Sequence, residues 1–367
     1  MKRVVSVIIV AIILSVGSHS AAASGILVEA ESFTNKGGWS VDQQFVFEMG
    51  SPYLIAHGMG QSVGDASTDV DFVKKGEYHI YVRCYNWTSP WSEKQGPGRF
   101  AISVGDKRVN DNLGTTGESW EWQYAGSVDI PQSGVQRVVL HDMTGFDGRC
   151  DAIYFTTKKG DVPPAEMEAL AAFRRNYNPH KAAVVKSDFV VVGGGVAGMC
   201  AAVAAARLGT KVVLINDRPL WGGCNSSETR VHLGGHIEMA PYTNLGNMIK
   251  EFGPLRGGNA QPAEFYEDEK KRAFLEAEEN LSLYPSYKVY KVDKSGNKIK
   301  AVYAKHIETG EEIKFVAPIF SDCTGDGTVG YLAGADYSMG REGRDVYGEP
   351  SAPAEGDKMT MGASVQW

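Results

Sequence analysis

The residues best suited to chemistry lie in the second half of this 367-residue chain. Gly193-x-Gly195-x-x-Gly198 follows the β-branched run Val190-Val-Val192 and precedes small helix formers from Met199 to Leu208. Strand, glycine turn and helix in that order suit a dinucleotide. Gly193 permits the tight turn, Gly195 lets backbone approach a pyrophosphate, and Gly198 lets helix pack on strand. The phosphates then meet free N–H groups and the positive end of the helix dipole. Downstream, Ser226-Ser-Glu-Thr-Arg-Val-His-Leu-Gly-Gly-His-Ile-Glu238 concentrates polar groups. Oxidising an alcohol needs a base for the hydroxyl proton. His232 is the best candidate on intrinsic pKa, with His236 second. Arg230 has the fixed charge to steady an anion. The alternative is that each histidine is an ordinary loop residue. A metal held by His232 and His236 is disfavoured, because Gly234-Gly235 discourages the helix that would align them. A redox disulfide at Cys224 needs a partner thiol, and Cys323 is the one conceivable partner.

These residues need a scaffold. The second strand of a dinucleotide fold is expected at Lys211–Ile215. An excursion over 217–262 follows, then a helix over Ala263–Glu279. Leu281–Tyr284, Tyr287–Val292, Ile299–Tyr303 and Glu312–Val316 read as strands, with Ser295-Gly-Asn297 and Thr309-Gly310 turning a β-meander. The chain then reaches a second glycine turn, Cys323-Thr-Gly-Asp-Gly327.

The first half reads differently. Ile26–Glu31, Tyr78–Cys84, Phe100–Val104, Val138–Leu140 and Ala152–Phe155 are short alternating runs separated by turn residues, which predicts a β-sandwich over 24–158. Trp87, Trp91, Trp120 and Trp122 lie in or beside its loops, where aromatic faces would stack on sugars unless they pack the core. Residues 159–187 read as a linker holding one helix, Ala165 to Arg175, ended by Asn178-Pro179.

The order of elements from 188 onward resembles flavoproteins of the glutathione-reductase and fumarate-reductase type. More closely, it resembles a family of secreted bacterial FAD-dependent oxidoreductases. Three segments carry this: Val192-Gly-Gly-Gly-Val-Ala-Gly198; Asn216 to Arg230, containing Trp221-Gly-Gly-Cys224; and Asp322-Cys-Thr-Gly-Asp-Gly327 with Ala333-Gly334. The resemblance implies FAD rather than NAD. It implies that Gly193, Gly195 and Gly198 hold the pyrophosphate, and that Gly222, Gly223, Ser226 and Ser227 form the loop under the flavin. Asp326 would accept from the ribityl chain. An acid normally ends the second strand and binds the adenosine ribose; here Asn216 stands there with Asp217 next, and either is the candidate contact.

The sandwich is similar to the galactose-binding-like folds of carbohydrate-binding modules, through Val28-Glu-Ala-Glu-Ser32, Gly37-Gly-Trp39 and Thr144 to Asp151. That resemblance implies a structural calcium on Glu29, Glu31 and Asp151 and a glycan as partner. The fold expected is therefore multidomain: an all-β sandwich followed by an α/β Rossmann-like FAD-binding domain over 188–367. Two functions compete, an enzyme oxidising a sugar or another alcohol-bearing substrate, and a non-catalytic glycan-binding protein with a degenerate nucleotide fold.

Composition narrows the setting. A net charge of −7 without any Lys/Arg-dense stretch makes nucleic acid an unsuitable partner. Lys2-Arg3, the apolar run Val4–Val16 and Ala21-Ala-Ala23 form a signal peptide over 1–23, predicting a secreted or periplasmic protein with no membrane span after cleavage. Five cysteines without a C-x-x-C give no support to zinc or an iron–sulfur cluster, while Cys84 and Cys150 have the option of pairing. Met359–Trp367 is apolar and strand-like without a closing turn, so the FAD-binding domain is expected to be incomplete.

Overall fold

Alternating burial organises the first half. In Ala66–Phe72, Ala66, Thr68, Val70 and Phe72 point inward while Asp69 and Asp71 face solvent, the two-residue period of a strand with one wet face. The computed structural model describes residues 25–177, 182–235, 238–253 and 258–361. The signal-peptide reading, His236 and the last six residues lie outside them.

Two antiparallel sheets form the sandwich. One runs in the order Ser40–Asp42, Tyr53–His57, Phe146–Thr156, Gly76–Cys84, Glu121–Ile130, with Gly25–Glu29 also paired to Phe146–Thr156. The other runs Ala66–Phe72, Gly134–Asp142, Phe100–Val104, Lys107–Leu113. Phe33, Trp39, Leu54, Ile80, Phe100, Leu140, Ile153 and Phe155 fill the space between them. Cys84 and Cys150 stand opposite one another on neighbouring strands, both buried and both free thiols.

The stretch read as a linker divides between the two halves. Its helix, Met167–Tyr177, docks on the sandwich through fully buried Leu170 and through Phe173 and Tyr177, whose rings meet Tyr154 edge-on. The indole N–H of Trp122 donates to the Pro164 carbonyl at 3.2 Å. Ala183–Lys186, beyond it, is a strand parallel to Glu312–Val316 and so belongs to the second half.

That half has three layers. Its central parallel sheet runs Leu281–Tyr284, Val212–Ile215, Phe189–Val192, Ile319–Asp322. Helices Val196–Arg207 and Asp268–Glu276 cover one face through Met199, Ala202, Val203, Phe274 and Leu275. The meander Tyr287–Ser295, Lys298–His306, Glu312–Val316 covers the other through Val289, Val302 and Phe315. Burial on both faces is why the two central strands, Phe189–Val192 and Val212–Ile215, read as unbroken apolar runs.

Two expectations change. Leu281–Tyr284 joins the parallel sheet, not the meander. The helix read over Ala263–Glu279 breaks at Glu267, whose φ of 48° is left-handed, into a 3-10 turn, Ala263–Tyr266, and the helix Asp268–Glu276. Among the described residues, no helix is long and apolar enough to cross a membrane.

Candidate functional site

The strand order places a cleft. Phe189–Val192 and Ile319–Asp322 are neighbours in the parallel sheet, yet the chain leaves the first toward Val212–Ile215 on its other side. Between such strands the connections diverge, and ligands bind at their carboxyl ends. Both glycine turns sit there, Gly193–Gly198 after one strand and Thr324–Gly327 after the other.

Gly193 and Gly198 are packed as closely as only glycine allows. Gly193 has a φ of 104°, and a Cβ there would strike the Cys323 carbonyl, so it lets the two turns touch. A Cβ on Gly198 would strike the Gly193 carbonyl, so it sets helix against turn. Gly195 differs. Its φ of −66° is ordinary and a Cβ would meet nothing within 4 Å, leaving an open approach at the start of helix Val196–Arg207. No side chain caps that helix, and its first turn carries no acid. Open backbone and uncapped amides fit a pyrophosphate.

The second turn frees its own acid. Asp322 accepts from the Thr324 N–H and hydroxyl and from the Gly330 N–H, and the Thr324 hydroxyl oxygen accepts from the Thr328 N–H. With the local donors satisfied by these residues, Asp326 stays exposed.

The loop after Val212–Ile215 swings over the first turn, where the Gly222 N–H donates to the Gly194 carbonyl at 2.8 Å. Asn216 holds it from inside. Its Oδ1 accepts from the Gly194 N–H at 3.0 Å, and its Nδ2 donates to the Arg218 and Leu220 carbonyls at 2.9 and 2.8 Å. Only 5% exposed, Asn216 has its amide committed to the loop, which corrects its reading as a ribose contact. Asp217 keeps a half-exposed carboxylate, 3.9 Å from Lys288 Nζ. Burial, reinforced by Arg218, pulls the Lys288 ammonium below its usual range, while Asp217 and Asp326 oppose that shift.

Ser226 is also buried, at 1% exposure, and shapes the loop: its carbonyl accepts from the Arg230 N–H at 2.8 Å. The Ser227 N–H donates to the Asp268 carboxylate at 3.2 Å. Gly222 and Gly223 have φ of 110° and 58°, and a Cβ on Gly222 would come within 2.9 Å of the Lys271 stem. Fully buried Lys271 donates to the Tyr266 carbonyl, and burial holds its ammonium below the ordinary lysine range. Sequence reasoning missed Lys271, Asp268 and Tyr266: none matches a motif, and Asp268 and Tyr266 lie 41 and 36 positions from Ser227 and Arg230, which they hold.

His232 and Arg230 occupy the far end of this loop. Arg230 has a φ of 61°; its Nε–H donates to the Ser227 carbonyl at 3.1 Å, and its own carbonyl accepts from the Tyr266 hydroxyl at 2.6 Å. His232 is exposed, and its backbone N–H and ring Nδ1 both lie within hydrogen-bond reach of Asn259 Oδ1, at 3.0 and 2.7 Å. The backbone donor identifies that Asn259 atom as the oxygen, an acceptor for a proton on ring Nδ1.

Of the carboxylates assigned to calcium, Glu29 and Glu31 each keep one buried oxygen without a hydrogen-bond partner, whereas Asp151 is committed to side-chain donors. Asp151 Oδ2 already accepts from Arg83 and Arg174 at 2.8 and 2.6 Å, and Oδ1 from the Ser51 hydroxyl at 2.9 Å. Glu29 lies 3.2 Å from Arg174 Nε. Among the described residues, no group of three or more His, Cys, Asp or Glu side chains is arranged to hold a metal. The cation among Glu29, Glu31 and Asp151 is the Arg174 guanidinium, donated by a helix that sequence reading placed in a linker.

The four tryptophans separate. Trp120 is core, packed on Met49 and Tyr53, and Trp122 is turned to the Pro164 carbonyl. Trp87 and Trp91 pair edge-on at 5.9 Å, with Trp91 70% exposed. Arg149 lies over the Trp87 ring, and half-exposed Phe146 accepts the Trp87 N–H at its carbonyl. Together they form an aromatic shelf beside the His57–Asp147 pair.

Residues 188–366 match the family model described as FAD dependent oxidoreductase, so the second half of the chain is an FAD-dependent oxidoreductase domain. No curated protein matches. Among solved structures, a Podospora anserina GH26-CBM35 β-(1,4)-mannanase is 15% identical, with 54% of this chain and 51% of that one covered and a TM-score of 0.30. An E. coli quinol fumarate reductase is 12% identical over 39% and 33%, also with a TM-score of 0.30. A family 35 carbohydrate-binding module from Clostridium thermocellum is 18% identical over 36% and 98%, with a TM-score of 0.29. The chain thus spans half the mannanase and a third of the reductase, and each likeness is too distant to carry an argument.

Proposed function

We propose that this protein is an exported flavoenzyme that oxidises an alcohol-bearing carbohydrate held on its sandwich domain. Bound FAD supplies the acceptor for the hydride that an alcohol loses on oxidation. Gly195 and the uncapped helix start receive the pyrophosphate, Asp217 the ribose and Asp326 the ribityl hydroxyls. His232 takes the hydroxyl proton at Nε2 as the substrate carbon gives up hydride, and the resulting imidazolium keeps its Nδ1–H bond to Asn259. Arg230, two residues before His232 in the same loop, supplies a fixed positive charge.

The observation that carries this reading is the contact of His232 Nδ1 with Asn259 Oδ1 at 2.7 Å. A proton on Nδ1 leaves Nε2 as an acceptor in a loop tied directly to the nucleotide turn. Trp87, Trp91 and Phe146 support the carbohydrate, since apolar rings beside charged groups suit the C–H faces and hydroxyls of sugars. The basic Lys2-Arg3 start, apolar Val4–Val16 and small Ala21–Ala23 support export.

Anaerobic titration of the flavin-loaded protein with a panel of sugars tests the reading. Bleaching of the flavin by a sugar in the native protein, slowed in His232→Gln with flavin content unchanged, is the expected outcome. A flavin that no sugar or alcohol reduces would overturn it.

A further inference from the structure

The carboxylate cluster at the join between the halves is built for a side-chain cation. Arg174 is 6% exposed, and its guanidinium donates to the Met49 carbonyl, the Ser51 hydroxyl and Asp151 while facing Glu29. Arg83, 2% exposed, shares Asp151. Burial, reinforced by Arg174, holds the ammonium of Lys305, on the meander strand Lys298–His306, below its usual range, while Glu29 and Glu31 oppose that shift. The turn that follows this strand closes on the same place, where a Cβ on Gly310 would stand 3.1 Å from Glu31 Oε1. Three acids therefore face three bases drawn from the sandwich, the intervening helix and the flavin domain.

We infer that Arg174 is the resident cation of this cluster and, with Lys305, fastens the sandwich to the flavin domain without calcium. Arg174 pairs with Asp151 and faces Glu29, and the Gly310 turn closes on Glu31, so the cluster is complete only with the helix and the meander seated together. The sandwich is then a fixed part of the enzyme rather than a tethered module. Its hold on the second half continues at Gln43, whose Nε2–H donates to the Asp217 carbonyl at 3.1 Å.

Two measurements on the full-length protein test this. Protein prepared in calcium-containing buffer and then desalted is expected to carry well under one calcium per chain, with the same unfolding temperature in calcium as in EDTA. Stoichiometric calcium, or an unfolding temperature that falls in EDTA, would overturn the assignment of Arg174. In Lys305→Met, amide exchange in the 306–312 turn is expected to rise by roughly tenfold or more while the sandwich core stays protected. Unchanged exchange in that turn would overturn the fastening role.

Discussion

At the scale of single residues, His232 and Asn259 make the most exposed commitment. General-base catalysis contributes about 10²–10⁴-fold, so His232→Gln is expected to lower kcat within that range at unchanged FAD content. Asn259→Ala frees the ring to change tautomer and should cost less activity than His232→Gln while shifting the acidic limb of the pH–rate profile. Asn259→Asp restores an acceptor and should recover part of the loss; stopped-flow reduction across pH reads all three. Glu31 supports a stability prediction. Burial, then the neighbouring Glu29 charge, lifts its carboxyl well above the usual range. A raised folded pKa means stability that is full below about pH 4.5, the unfolded value, and lost as pH rises through the folded value. Glu31→Gln mimics the protonated form, so its unfolding temperature should exceed the native one at neutral pH and converge with it in acid. The Asp151 carboxyl moves the other way: burial would raise it, but Arg174 and Arg83 outweigh burial and hold it low, so its contribution disappears only as acid protonates it. Most of this was invisible in the sequence. Asn216 looked like a ribose contact because it occupies the strand-end position, and only the fold shows its amide consumed by Gly194, Arg218 and Leu220.

At the scale of elements, the glycine turn separates folding from binding. Gly198→Ala drives a methyl into the Gly193 carbonyl and should destabilise the helix–strand unit, lowering the unfolding temperature. Gly195→Ala meets no protein atom and has an ordinary φ, so the apoprotein should unfold at the native temperature while FAD affinity drops by tenfold or more, roughly the effect of losing 1.4 kcal/mol. Thermal unfolding with and without FAD distinguishes the two variants. The strand–turn–helix unit was legible because its signals are local: Val190–Val192 is buried on both faces, and the turn glycines fall at fixed offsets. The later meander hairpins were legible for the same reason. Leu281–Tyr284 was misplaced, because a four-residue apolar run does not say which sheet it will join. Phe146–Thr156 was recognised only at its end, since burial of every residue from Gly148 to Thr156 erases alternation.

At the scale of the whole molecule, the sandwich and flavin domain act as one body. Trp87→Ala and Trp91→Ala together should abolish retention on the polysaccharide that supplies the substrate, while turnover of a small soluble sugar stays within about twofold of native, as expected for substitutions outside the catalytic loop. Affinity electrophoresis and kinetics on the same preparations check this. The arrangement of layers followed from the sequence; the join did not, because Arg174 meets partners from 23 to 145 positions away. The central claim is that the cleft between the two glycine turns holds FAD, and a visible absorption spectrum of the purified full-length protein tests it most directly. One flavin per chain, present as purified or after FAD addition and bleached anaerobically by a sugar, is the predicted result. A protein that shows no bound flavin even after FAD addition would contradict the account.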